Sequence, residues 1–298
     1  MTQFAGTYTI MVTPFDEDGS VDVEALRRYV DWQIDAGIRG LIPLGSTGEF
    51  LSMTDGEIDL VTDTVVRQAA GRVPVIVGAT AEDSRVAARK CRRAEALGAD
   101  GVMVLPPFYS TPTPDEIFRH YACLADGLGI PVMVYNNPAV ANVDLSPQLI
   151  ARLGTIPNCC YVKESTLDVT RVRDILRYSD GRVTVFGGIM GYESYLEGAL
   201  GWASVPANGA PAEFARLPAL IDAGDVAGAR ASYLRLLPLV DFVAGQRYVA
   251  GTKAVLRQLG LPVGSPRPPR LPLTDADLAA AAGLVQALAL PAVPPVPA

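Results

Sequence analysis

The sequence predicts an α/β chain folded as a (β/α)8 TIM barrel with a C-terminal helical extension, and three observations carry that expectation. Eight short runs rich in β-branched residues alternate with single amphipathic stretches of helix length. Several of the runs are continuously apolar, as parallel strands buried on both faces must be. The first run leads into MVTPFDEDG, which lacks the GxGxxG turn that a doubly wound dinucleotide fold would want. A length of 298 residues suits one large barrel as readily as two ordinary domains.

The strands are expected at TYTIMV (7–12), GLIPL (40–44), VPVIVG (73–78), DGVMVL (100–105), IPVMVY (130–135), CCYVK (159–163), RVTVFG (182–187) and GWASV (201–205). Helices fall between them near 22–36, 54–70, 83–97, 114–127, 146–153, 168–178 and 191–199. Thr54 with Glu57 reads as a capping box opening the second helix. Gly37, Gly71 and Gly98 each follow a helical pattern where a left-handed cap is expected. The helical patterns beyond the eighth strand exceed the one helix a barrel needs. The expected division is therefore a catalytic barrel over 1–224 and a helical extension over 225–298, with a last helix near 275–289 and a loose tail, PAVPPVPA.

Composition narrows the function. An apolar share of 49% with 19% charged residues excludes a disordered chain. Twenty-five basic against 32 acidic side chains give −7, which weighs against a nucleic-acid or anionic-membrane surface. The first residues have no basic stretch followed by an apolar run, and no segment has the length of uninterrupted apolar residues that a membrane helix needs. The expectation is a cytoplasmic protein acting on a small molecule. The four cysteines, Cys91, Cys123, Cys159 and Cys160, lack metal-ligand spacing and read as buried thiols. His120 is the single histidine, set in the helical EIFRHYACLA, so a His-based zinc site, a Ser-His-Asp triad and a Cys-His dyad would all hang on it. Neither a metal nor a cofactor is expected.

Lysine usage points to the chemistry. Of the 25 basic residues only Lys90, Lys163 and Lys253 are lysines, so arginine supplies ordinary surface charge. Lys90 lies on a basic helix face, and Lys253, also helical, reads as structural. Lys163 ends the apolar run CCYVK just before a turn-prone EST. An amine there is partly desolvated, which favours its neutral, nucleophilic form. Such an amine can form a Schiff base with a ketone, and the iminium then draws electrons from the adjacent carbon. Proton movement needs a hydroxyl close by, and Tyr135, at the end of the neighbouring strand, is the candidate. Thr47 and Tyr109, also at strand ends, could complete a relay. GSTGE (45–49) offers the hydroxyls of Ser46 and Thr47 and a Gly48-freed backbone to a small carboxylate or phosphate, with a plain glycine-rich turn as the alternative. Rim packing is the alternative for either tyrosine.

TPF (13–15), GSTGE, LPPFY, YNNP, VKES, SVPAN (204–208) and GLPVG (260–264) together resemble the dihydrodipicolinate synthase and N-acetylneuraminate lyase superfamily of Schiff-base aldolases, over essentially the whole chain. The resemblance implies that Lys163 forms an imine with pyruvate or another 2-oxo acid. It implies Tyr135 as acid and base, Ser46 and Thr47 as carboxylate holders, and Tyr109 as a relay member that can cross a dimer interface. A homotetramer made of two tight dimers is the implied assembly. One position departs from the pattern. Synthases of this family carry an arginine for the second substrate's carboxylate two residues after the proline of their YN-x-P motif, where this chain has Val140, which cannot pair with a carboxylate. The expectation is a lyase acting on pyruvate or a related 2-oxo acid by aldol cleavage or condensation, dehydration or deamination, and the departure favours loss of water or ammonia from a sugar-acid- or hydroxyproline-derived 2-oxo acid. The 4-hydroxy-tetrahydrodipicolinate synthase reaction is the alternative, and a catalytically idle small-acid sensor is an alternative of another class. Gly187 and Gly188 would let substrate approach the backbone. Tyr192, Glu193 and Asn208 either line the second-substrate side or serve as surface and capping residues.

Overall fold

The structure, a computed structural model, describes residues 3–294. Eight parallel strands alternating with helices make it a (β/α)8 TIM barrel with additional C-terminal helices. The chain divides into two compact units, one containing the segment up to Gly6 with Pro74–Ala203, the other Thr7–Val73 with the chain from Ser204 onward.

The first unit holds β3 (Ile76–Gly78), β4 (Gly101–Val104), β5 (Val132–Asn136), β6 (Tyr161–Glu164), β7 (Thr184–Gly187) and most of β8 (Gly201–Ser204), each paired with the next in parallel. Register aligns their side chains into rows. Val104, Val134, Val162 and Val185 form one buried row, and the row above it runs Tyr135, Lys163, Phe186. Above that come Asn136, Glu164 and Gly187. Successive strand residues face opposite sides, so Tyr135 and Lys163 share a face that Asn136 and Glu164 do not. Phe186 dictates its cross-strand neighbour: a Cβ on Gly201 would stand 2.2 Å from the phenyl ring. Glycine is the residue that fits.

Helices α3 (Ser84–Ala96), α4 (Pro114–Ala125), α5 (Pro147–Leu153), α6 (Thr170–Ser179) and α7 (Gly191–Leu196) link these strands. The strands are shorter than their apolar runs because the run ends bond outside the ladder. Val75, for example, donates to the Asp100 carboxylate at 2.9 Å before β3 begins. Gly98 follows α3 with φ 91°, as its position after the helical pattern implies.

In the second unit β1 (Gly6–Ile10) pairs with β2 (Gly40–Ile42), Tyr8 standing opposite Gly40. Helix α1 (Val23–Asp35) is capped by the Asp22 side chain, and α2 (Asp55–Ala69) by the Thr54–Glu57 capping box read from the sequence. Gly37 and Gly71 take φ of 94° and 71°. Helices α8 (Pro211–Asp222), α9 (Val226–Phe242), α10 (Tyr248–Gln258) and α11 (Asp275–Leu288) complete the unit. Lys253 of α10 has the structural place expected of it: its ammonium sits 3.0 Å from the Glu49 carboxylate with both side chains fully buried, and over the Phe15 ring. The end of the tail expected to be loose, 295–298, lies outside the described residues. Among the described residues no helix is long and apolar enough to cross a membrane.

His120 of α4 is buried, with its Nδ1 2.9 Å from the Ser84 hydroxyl. Burial holds its pKa down, from 6.5 to about 4. Between those two values the unfolded chain binds a proton that the folded chain excludes. The stability tied to His120 is thus complete above pH 6.5 and lost as pH falls toward 4, by an amount of up to about 3 kcal/mol. Urea unfolding of the wild type and His120→Gln at a series of pH values between 7 and 4 should show the steeper loss in the wild type; equal slopes would refute this.

Candidate active site

The ends of β5 and β6 build the site. Tyr135 and Lys163 are register partners and are both buried, at 6% and 5% exposure. Their closeness is a consequence of the ladder: parallel neighbours on one face of a sheet stand side by side. The Lys163 ammonium nitrogen lies 3.9 Å from the centre of the Tyr135 ring. A buried cation needs such a partner, and the electron-rich ring face supplies one.

The phenol is tuned by opposing effects. Burial pushes the Tyr135 pKa up, while the Lys163 charge and the hydrogen bond from Asn137 pull it down, and the lowering prevails. Asn137 Nδ2 donates to the phenol oxygen at 2.9 Å, and the Asn137 Oδ1 accepts from the Ala139 amide at 3.2 Å. The amide is thereby oriented by its own turn. A phenol whose proton leaves more readily than usual, beside a primary amine, is equipped to pass protons during attack on a carbonyl and loss of water.

The loop after β7 closes over this pair's strand. Gly188 donates its N–H to the Glu164 carbonyl at 2.7 Å, and its own carbonyl accepts from Trp202 Nε1 at 2.9 Å. A Cβ on Gly188 would lie 1.8 Å from Ser165 Oγ and 2.9 Å from the Glu164 carbonyl oxygen, and one on Gly187 would lie 2.6 Å from Ser194 Oγ. The space each glycine frees is taken by a serine hydroxyl, so both glycines have a packing reason for their identity.

The remaining residues singled out from sequence fall as follows. Tyr109, after β4, has its side chain in solvent, 83% exposed, while its backbone is tightly held: its N–H donates to Glu82 at 3.0 Å and its carbonyl accepts from Asn142 at 2.8 Å. The structure gathers Lys163 with Tyr135 and leaves Tyr109 outside that buried pair. Val140 is 48% exposed on the turn after β5, where its amide donates to the Asn137 carbonyl at 3.1 Å. Tyr192 is buried in α7.

In the second unit, Thr47 is buried and Ser46 half-buried in the turn Gly45–Glu49. Gly48 is needed there, since a Cβ would stand 2.9 Å from the Leu44 amide nitrogen, and its carbonyl accepts from Thr13 at 2.8 Å. Glu49, with φ 62°, anchors the turn through Lys253 and through the Arg267 amide at 2.8 Å. Asn208 is a scaffold residue: its amide nitrogen donates to the carbonyls of Ile10 and Val205 at 2.8 and 2.6 Å, and its oxygen accepts from Tyr29.

Cys91 and Cys159 are buried thiols as the sequence suggests, each pushed up by burial to about 12, whereas Cys123 and Cys160 are only half-buried. Among the described residues no group of three or more His, Cys, Asp and Glu could hold a metal ion. Sequence reasoning missed Asn137, although YNNP displays it two residues after Tyr135, and missed the partners of Glu164. Neighbouring residues in sequence carry no label for which face they occupy or whom they meet.

Gly188→Ala should cost about 1–3 kcal/mol in thermal or urea unfolding because a methyl is forced into occupied space. Adding Ser165→Gly should recover only part of that, the Glu164 carbonyl still being in the way. A neutral Gly188→Ala, or full recovery in the double variant, would show that the packing is not what selects glycine.

The model of the Dihydrodipicolinate synthetase family matches residues 3–288. A 4-hydroxy-tetrahydrodipicolinate synthase of Acidiphilium cryptum is 38% identical over 281 residues, which cover 93% of this chain and 95% of that protein. One of Nitrobacter hamburgensis is 38% identical, with 92% and 93% covered. The crystal structure of the chloride-inhibited dihydrodipicolinate synthase of Acinetobacter baumannii, complexed with pyruvate, superposes with a TM-score of 0.91 at 29% identity, covering 97% of this chain and all of the other.

Proposed function

Since this chain belongs to the dihydrodipicolinate synthetase family, we propose that it is an enzyme that binds pyruvate as an imine on Lys163 and adds it to an aldehyde, the reaction type of a 4-hydroxy-tetrahydrodipicolinate synthase. The observation that carries this reading is the buried amine 3.9 Å from the ring of a phenol whose pKa is lowered. The relatives' names weigh toward this condensation over the dehydration or deamination that the sequence alone favours.

Within the proposal the Lys163 nitrogen attacks the C2 carbonyl of pyruvate, the oxygen leaves as water with protons relayed by Tyr135, and the iminium acidifies C3. The resulting enamine adds to the aldehyde carbon, and water then releases Lys163. Carboxylate holding by Ser46 and Thr47, a relay that includes Thr47 and Tyr109, a homotetrameric assembly and a cytoplasmic setting belong to the proposal on the strength of the resemblance. No cofactor or metal has a part in it.

A second reading has one specific support. Val140 presents an exposed isopropyl group where the family's synthases place an arginine, so the acceptor's carboxylate lacks that partner. A sugar-acid- or hydroxyproline-derived 2-oxo acid, losing water or ammonia from the Lys163 imine, fits that difference.

Incubation with pyruvate followed by borohydride should leave a stable adduct on the wild type, seen by mass spectrometry, and none on Lys163→Ala. Tyr135→Phe should form the adduct more slowly by a factor on the order of 10² to 10⁴ with the fold retained. Absence of an adduct on the wild type with any 2-oxo acid would leave a small-acid sensor as the surviving account. The acceptor is decided separately: turnover of pyruvate with aspartate semialdehyde supports the synthase reading, and Val140→Arg should then raise kcat/KM for that aldehyde about tenfold or more. Turnover only of keto-deoxy sugar acids or pyrroline acids would support the second reading instead.

A further inference from the structure

One residue beyond Tyr135 and Lys163, the same two strands carry a second pair. Asn136 and Glu164 are register partners, both buried, and Asn136 Nδ2 donates to the two Glu164 carboxylate oxygens at 3.2 and 3.0 Å. The same nitrogen reaches Asp144 at 3.1 Å, and Asn136 Oδ1 accepts from the Leu145 amide at 3.0 Å. Glu164 also accepts from the Thr166 amide at 2.9 Å. Arg171, near the start of α6, closes the group from outside: its Nε lies 3.5 Å from Glu164, it contacts both Asp144 oxygens at 2.9 and 3.1 Å, and it donates to the Leu145 carbonyl.

The Glu164 and Arg171 side chains are 3% and 13% exposed. Two oppositely charged groups this deep cost much to desolvate, and they hold each other in place because removing either strands the other. Such a group is stiff. It also lies where stiffness matters, since the lateral spacing of Asn136 against Glu164 is the spacing of Tyr135 against Lys163 one step down the ladder.

We propose that Arg171, acting through Glu164 and Asn136, is a positioning residue that keeps the Lys163 amine in reach of the Tyr135 phenol. The proposal rests on the imine chemistry above. It assigns the network no contact with substrate, because Asn136 and Glu164 face away from the side that Tyr135 and Lys163 share. Its effect belongs to the rate at which a correctly folded enzyme makes the imine, where a displacement of about 1 Å can cost on the order of a hundredfold.

The experiment is borohydride trapping of the pyruvate adduct, resolved in time at saturating pyruvate, on the wild type, Arg171→Met, Arg171→Lys and Glu164→Gln. Amplitude reports the fraction of folded, competent enzyme, and the rate constant reports positioning. The expected result is full amplitude with the rate lowered roughly 10- to 100-fold in Arg171→Met and Glu164→Gln, and restoration to within about threefold of wild type by Arg171→Lys. Unchanged rates would overturn the proposal. A lowered amplitude at an unchanged rate would overturn it equally, since that is the mark of a merely structural role. Should Arg171→Met fail to fold, Glu164→Gln, which keeps an acceptor for Asn136, decides on the same two criteria. A wild type that traps no pyruvate would instead overturn the imine reading, and this inference with it.

Discussion

Parallel pairing of β5 with β6 places a buried lysine beside a buried tyrosine, and most of the site's chemistry descends from that adjacency. At about 4 Å, two unit charges interact by roughly 1 kcal/mol in water but by about 4 kcal/mol where the effective dielectric is near 20. Burial would by itself keep the phenol protonated. It also strips away the water that would screen the ammonium from it, so the Lys163 charge and the hydrogen bonds outweigh the desolvation that accompanies them. Tyr135 would not have this character alone. An isolated tyrosine at that depth would resist losing its proton, as the raised values of the buried Tyr29 and Tyr121 illustrate.

The architecture was legible because its signals are one-dimensional. Continuous apolar runs mark strands with two buried faces, and Thr54, Glu57, Gly37, Gly71 and Gly98 sit at helix ends for reasons that involve only their own few residues. Lys163 stood out because the chain uses so few lysines, and Tyr135 because it ends the preceding strand. What was not legible depends on meetings across the fold. Nothing local to Asn137 says that its amide reaches back to the Tyr135 oxygen. Glu164 is adjacent to Lys163 in sequence yet faces elsewhere, and its partner Arg171 comes from the following helix. Lys253 could be read as structural, but not as the counter-charge of Glu49, because 204 positions separate them. The place of Tyr109 after β4 was legible but the direction of its ring, exposed in this single chain, was not, because a strand-end position fixes where the backbone goes and leaves the side chain's direction to the loop that follows.

The strand-end glycines show how close packing and chemistry become entangled. Gly187 and Gly188 were read as openings toward substrate, yet the volume each frees is filled by a hydroxyl of this chain. At Gly188 the neighbour is Ser165, two residues after Lys163. A larger residue there would displace Ser165 before it touched any ligand.

In the proposed reaction, acceptor choice follows a different logic from imine formation. A fold hosts many reactions, and what differs among them is carried by loops on a common frame. In the proposed reaction the donor half would need only an amine, a phenol and their spacing, all set by the rigid ladder. The acceptor half would depend on the turn that carries Val140. That turn is fastened on one side by Asn137, which donates to the phenol and whose carbonyl accepts from the Val140 and Ala141 amides, and on the other by Asp144 and Leu145, which Asn136 and Arg171 hold. The turn proposed to face the second substrate is therefore tied at both ends to residues flanking Tyr135 and Lys163. Within the proposal, a change of acceptor at Val140 would need side-chain replacement alone, because the backbone of the turn is anchored by contacts in which the Val140 side chain has no part.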